Sequence, residues 1–128
     1  MQRQIKALVI EPNKLPEIQM IDNSILAKEK IVGGELRYVY SDNYPNVVII
    51  CNDDGQDMNL PFNRFVDNDL IKGTFMIVRD DPEIGEDRSL TEKQIKKYQE
   101  IFNDKSIFET KFALAKIKKE LKNNDLAI

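Results

Sequence analysis

NVVIICNDDGQDMNLPFNRF, residues 46–65, is the stretch on which the fold turns. Its first six residues form a continuous β-branched run, the composition of a strand buried on both faces at the centre of a sheet. Residues 73–78, GTFMIV, are a second run of the same kind, so the sheet is expected to assemble around these two. Between them, Asp54-Gly55 offers the positive-φ positions of a type I′ turn, which predicts a hairpin returning through the weaker strand MNLPF. The rival reading is a metal loop built from Asp53, Asp54 and Asp57. Calcium loops alternate their ligands, place glycine sixth and supply a glutamate twelfth. Counted from Asn52, glycine falls fourth and position twelve is Asn63, so the hairpin is expected and no metal site. Cys51 ends the buried run and reads as a small buried hydrophobe, since no base can be named beside it. In LPFNRF, Pro61 blocks strand continuation, and Asn63 and Arg64 sit between two phenylalanines. Two readings of that arginine stand side by side. It could hold a phosphate or carboxylate in bidentate fashion, or cap the sheet against nearby aspartates.

Working outward toward the N-terminus, QIKALVI at 4–10 reads as a strand stopped by Pro12, and EIQMI at 17–21 as its hairpin partner. In DNSILAKEKIVGG the period changes. Asp22, Asn23 or Ser24 can cap a short helix, and Gly33 or Gly34 can end it. ELRYVYS at 35–41 alternates, with Leu36, Tyr38 and Tyr40 against Arg37 and Val39. Toward the C-terminus, RDDPEIGEDR at 79–88 is an acidic exposed loop. Ser89 with Glu92, and Ser106 with Glu109, have the capping-box spacing S-x-x-E and predict two helix starts. The second helix carries a broad apolar face of Ile107, Phe108, Phe112, Leu114, Ala115, Ile117 and Leu121, with lysines opposite. The expected architecture is one α+β domain over 1–128. It has an antiparallel or mixed sheet of about five strands, a short helix after the first hairpin, and two C-terminal helices.

Charge is unevenly spread although the net is only −3. Residues 53–88 hold ten acids against four bases, and residues 89–128 hold nine lysines against six acids. An acidic middle and a basic tail could steer partners of opposite sign to different faces. A sequence pI near 5.1 lacks the basic footprint of a nucleic-acid-binding module, so nucleic acid is not an expected partner. No apolar run is long enough to span a bilayer. The charged N-terminus and single cysteine are those expected of an intracellular, cytoplasmic protein in a reducing compartment. With no histidine and one cysteine, structural zinc lacks ligands, and no glycine-rich phosphate loop or nucleophile elbow is present. No catalytic residue and no cofactor is therefore assigned.

The segments IKALVIEPNKLPEIQMIDN, IVGGELRYVY, VIICNDDGQDMNLPFNR and IKGTFMIVRDDPEIGEDRSLTEKQIKKYQEIF follow one another in an order that resembles domain-of-unknown-function family 3846. The resemblance covers residues 5–102, with GG, LPFNR, and GTFMIV followed by SLTEKQIKKY its most specific parts. Residues 103–128 add a helix beyond it. Members are short proteins of phages, prophages and plasmids, so the resemblance implies a non-enzymatic accessory protein that antagonises a bacterial host's defence by binding a host protein. The alternative it leaves is capture of a nucleotide or other phosphate-bearing signal. For protein contact the candidate residues are Asp53, Asp54 and Asp57 at the hairpin tip, Asp80, Asp81, Glu83, Glu86 and Asp87 in the acidic stretch, or the last helix. For a small ligand they are Asn63 and Arg64 with Tyr38 and Tyr40. A homodimer is also expected to be possible, because the last helix has more apolar face than one sheet covers.

Overall fold

The computed structural model describes residues 3–55 and 57–126. In chain order the elements are β1 (Gln4–Ile10), β2 (Glu17–Asp22), α1 (Ile25–Val32), β3 (Leu36–Val39), β4 (Val47–Asn52) and β5 (Phe62–Val66). They continue with β6 (Asp69–Lys72), β7 (Phe75–Asp81), β8 (Glu86–Arg88), α2 (Glu92–Ile101) and α3 (Asp104–Leu126). The two β-branched runs lie side by side at the centre as β4 and β7, antiparallel, with Val47 opposite Arg79 and Ile50 opposite Met76. The strand order is β2-β1-β7-β4-β3, with β8 added beside β7, and every pairing is antiparallel. The fold is α+β, as expected.

Both faces of the central strands are covered, which is why their runs show no polar alternation. On one face Leu8, Ile10, Ile49, Phe75 and Ile77 pack against Ile95, Tyr98 and Phe102 of the α2 region and Val66 and Ile71 of the β5–β6 hairpin. On the other face Ala7, Val9, Val48, Ile50, Met76 and Val78 pack against Val32 of α1. Each large side chain buried this way stabilises the fold by about 1.5–3 kcal/mol. Ser24 caps α1 by accepting from the Ala27 amide, and Gly33 ends it at φ 81°, in the left-handed region that favours glycine. Gly34 is required for a different reason. A Cβ there would stand 2.8 Å from the Asn52 amide nitrogen, which donates to the Val32 carbonyl.

Four local expectations are corrected. The chain after β4 does not return as a hairpin at Asp54-Gly55. Residues 53–55 and 57–61 instead lie in a loop, because both edges of β4 are already taken by β3 and β7. Gly55 is needed there for close approach, its missing Cβ lying 3.2 Å from the Lys72 carbonyl oxygen. The hairpin turn falls one segment later, where Asp67 takes φ 54° between β5 and β6, a separate two-stranded sheet. Nor is 79–88 an open loop. β7 runs on to Asp81, and β8 pairs with it through a turn at Pro82–Gly85. Finally, the caps are displaced. Thr91 and Gln94 make the capping box of α2, while the Ser89 hydroxyl accepts from the Lys6 amide. Asn103, through its side-chain oxygen, accepts the Ser106 amide at the start of α3.

Candidate functional site

The four residues predicted for a small ligand do not converge. Asn63 and Arg64 lie in β5 on the α2 side of the sheet, and both are buried. Asn63 donates to the Ile10 and Gly73 carbonyls at 2.8 Å each, and accepts from Arg64 Nη1 at 2.8 Å. Arg64 also donates from Nε to Ser106 Oγ (2.8 Å), and from Nη2 to the carbonyls of Lys14 (2.7 Å) and Phe102 (3.1 Å). Four of its five donors are thus engaged with neutral acceptors from the β1–β2 loop, β5, the end of α2 and the start of α3. Burial pushes the guanidinium below its usual range, with the nearby Asp104 carboxylate opposing. The LPFNR segment acts as a knot in the fold, with little of Arg64 left for a ligand.

Tyr38 and Tyr40 lie on the other face. They follow Leu36 at intervals of two, so all three side chains project to the α1 side. α1 is only eight residues long and covers the middle of the sheet, leaving the ends of β3, β7 and β8 open. The result is a groove of about 750 Å³ lined by Tyr38 and Tyr40, by Asp80, Glu86 and Asp87, and by Asn23 and Lys28 beneath. Lys28 is 4% exposed; its Nζ lies 2.6 Å from Asp87 Oδ2 and 2.8 Å from Asn23 Oδ1. Asn23 Nδ2 donates to the Asp87 carbonyl at 3.0 Å, tying the foot of α1 to β8.

In register, Asp80 stands directly opposite Asp87 across the β7–β8 pair. Like charges so placed repel, and Lys28 neutralises only Asp87. Neither Asp80 nor Glu86 has an ion pair among the described residues. Burial, then Asp87, pushes the Tyr38 phenol above its usual range; burial, then Asp80 and Asp87, does the same to Tyr40. The remaining acids of the hairpin are placed differently. Asp81 Oδ2 is 3.1 Å from Arg88 Nε, and Glu83 is exposed at the turn.

Asp53, Asp54 and Asp57 are exposed in the loop after β4, at the opposite end of the strands from the β7–β8 turn. The two acidic sets are therefore separate surfaces. Cys51 is buried, and burial pushes its thiol up, away from the thiolate form a nucleophile needs. On α3, Ile107 and Leu114 are half-buried, whereas Phe108 and Phe112 are 68% and 65% exposed with rings stacked 6.4 Å apart.

Sequence reasoning missed Lys28 and Asn23. Ile25 and Leu26 are exposed, and the lysine four residues before Val32 takes the inner face of α1. The i, i+4 spacing of Lys28 and Val32 was the available signal.

The family model described as Domain of unknown function (DUF3846) matches residues 5–103. The chain belongs to that family. No curated protein and no solved structure matches it. The family model ends at the elbow before α3, so it includes the groove, Asn63 and Arg64, but not Ser106. No helix among the described residues is long and apolar enough to cross a membrane.

Proposed function

We propose that this DUF3846 protein is a non-enzymatic accessory protein of a phage or other mobile element. In this reading it acts in the cytoplasm of a bacterial host, binding a host protein through the grooved face and antagonising a defence system. One observation carries it. The groove presents two tyrosine faces and a carboxylate, Asp80, that has no ion pair among the described residues, on the paired strands β3–β4 and β7–β8. Tyrosine is among the residues enriched where proteins meet, because it offers a large apolar body with a polar tip. Capture of a phosphate-bearing signal finds less support. Arg64 is consumed by the fold, and an anion beside Tyr38 and Tyr40 would meet Asp80.

A photo-crosslinking amino acid placed at Tyr40, with a second at Met20 on the far edge of the sheet as control, tests the reading in host cells. The expected result is a discrete adduct with one host protein from position 40 and none from position 20. Adducts of equal yield from both positions, or none from position 40, would remove this face as the contact. An adduct with a protein that has no part in defence would keep the binding reading and overturn the antagonist role.

A further inference from the structure

The chemistry of the groove also specifies its guest. We propose that it receives a cationic side chain of the partner, an arginine guanidinium before a lysine ammonium, so that the partner segment docking there is basic. The inference rests on the reading above that this face is the contact face. It starts from a charge count. Lys28 is the lining cation, and Asp80, Glu86 and Asp87 are the lining anions. Because Lys28 and Asp87 satisfy each other at 2.6 Å, Asp80 is left over on the groove face, whereas Glu86, opposite Asp81 in the register, alternates to the other face. Asp80 is half-buried, so water screens it less than it would at an open surface.

Asp80 is also held in place. The β7–β8 register fixes it opposite Asp87, and the single buried ammonium nearby binds Asp87 and Asn23, leaving the repulsion across the strands in place. A positive group entering the groove would relieve that repulsion and gain a charge-assisted hydrogen bond. Tyr38 and Tyr40 supply ring faces for the same guest. A cation over a tyrosine face is stabilised by about 0.5–2 kcal/mol, more as water is excluded. Arginine suits the site better than lysine, because its planar fork can stack on a ring and bond a carboxylate in two places. Metal ions are poorer candidates. Among the described residues no group of three or more His, Cys, Asp or Glu side chains is placed to hold one.

The test uses a short synthetic peptide bearing two arginines between glycines, and the same peptide with citrulline, which keeps the shape and removes the charge. Binding is followed by nuclear magnetic resonance on the full chain. The expected result is saturable shifts at Tyr38, Tyr40 and Asp80, with affinity for the citrulline peptide lower by about tenfold or more. A double variant, Asp80→Asn with Glu86→Gln, should lose a similar factor, and added salt should weaken the arginine peptide alone. Equal binding of the two peptides, or shifts confined to other surfaces, would overturn the proposal. The peptide comparison on the unaltered chain stands even if the double variant folds poorly. Failure here is separable from failure of the contact-face reading. A host protein crosslinked at position 40 whose yield an excess of arginine peptide does not reduce overturns the cationic guest and leaves the face intact.

Discussion

Arg64 and Lys28 are both buried cations, one on each side of the central sheet, yet their surroundings differ in kind. Arg64 has no ion pair among the described residues and spreads its donors over Asn63, Ser106 and the carbonyls of Lys14 and Phe102. Lys28 concentrates on one carboxylate, Asp87, which forms the floor of an open groove. The first arrangement joins four segments and closes the α2 side. The second stops short of neutrality, leaving Asp80 on the groove face with no ion pair among the described residues. A saturated cation marks where the fold is locked, and an under-compensated anion pair marks where it is ready to meet something else.

Removing Arg64 should have the largest effect. Arg64→Leu strands the Asn63 side-chain oxygen, the Ser106 hydroxyl and two carbonyls without their donor, a loss of about 3–5 kcal/mol by analogy with other buried charged networks. Urea unfolding would read it as a lower midpoint at unchanged slope. Ser106→Ala removes one of the four acceptors and should cost about 1–2 kcal/mol. If Arg64→Leu were as stable as the parent, the knot would be incidental, and the arginine would return to the list of ligand-binding candidates.

Lys28→Met comes next. It keeps the packing of the long side chain and removes the charge, leaving Asp87 opposite Asp80 with no cation between them. Asp87 is partly reached by water, so the expected loss is about 2–3 kcal/mol, below that of Arg64. Asp87→Asn in the same background should restore part of it, since the repulsion then disappears. Additive losses in this cycle would mean that the two side chains act independently, against the geometry.

Alkaline titration separates the regions by a different route. All four tyrosines are held above the usual phenol range, with burial the largest cause in each. The folded state therefore keeps phenol protons at a pH where the unfolded chain has begun to lose them. The unfolded state then binds fewer protons, so the tyrosine contribution to stability is full below a pH of about 10 and is lost above it. With no tryptophan in the chain, tyrosinate absorbance reports this directly. Asp80→Asn should bring Tyr40 part of the way down and leave Tyr98, whose charged neighbour is Tyr44, where it was. Native and denatured curves that coincide would contradict the burial of these rings.

The central strands, α1 with its glycine stop and the helical C-terminus could be read from the sequence, because each rests on local chemistry: β-branched runs, Ser24 with Gly33, and the period of 89–122. The β5–β6 and β7–β8 hairpins could not. Their turns at Asp67 and at Pro82–Gly85 look like any polar connector until the partners of β4 and β7 are known. The groove was half legible. Alternation placed Tyr38 and Tyr40 on one face, and composition marked Asp80, Glu86 and Asp87. That β3 and β8 bring the two sets together depends on the pairing of β4 with β7, which sets Val47 opposite Arg79. Lys28 was hidden because propensity assigns a lysine to the outer face, and here a single carboxylate draws it inward.

The smallest expected effect on stability belongs to Asp80→Asn with Glu86→Gln, and it is the most informative of the set. Neither carboxylate holds an ion pair among the described residues, so nothing in the fold is left unpaired by their loss. Removing one member of a like-charged cross-strand pair should instead be neutral, or stabilising by about 0.2–0.5 kcal/mol. A urea midpoint at or slightly above that of the parent would show that these two charges are retained at some cost to the fold, which is the signature of a surface kept for binding. A loss of more than about 1 kcal/mol would mean that the carboxylates support β7–β8 themselves. In that case the groove would be a second knot, and the contrast with Arg64 would dissolve.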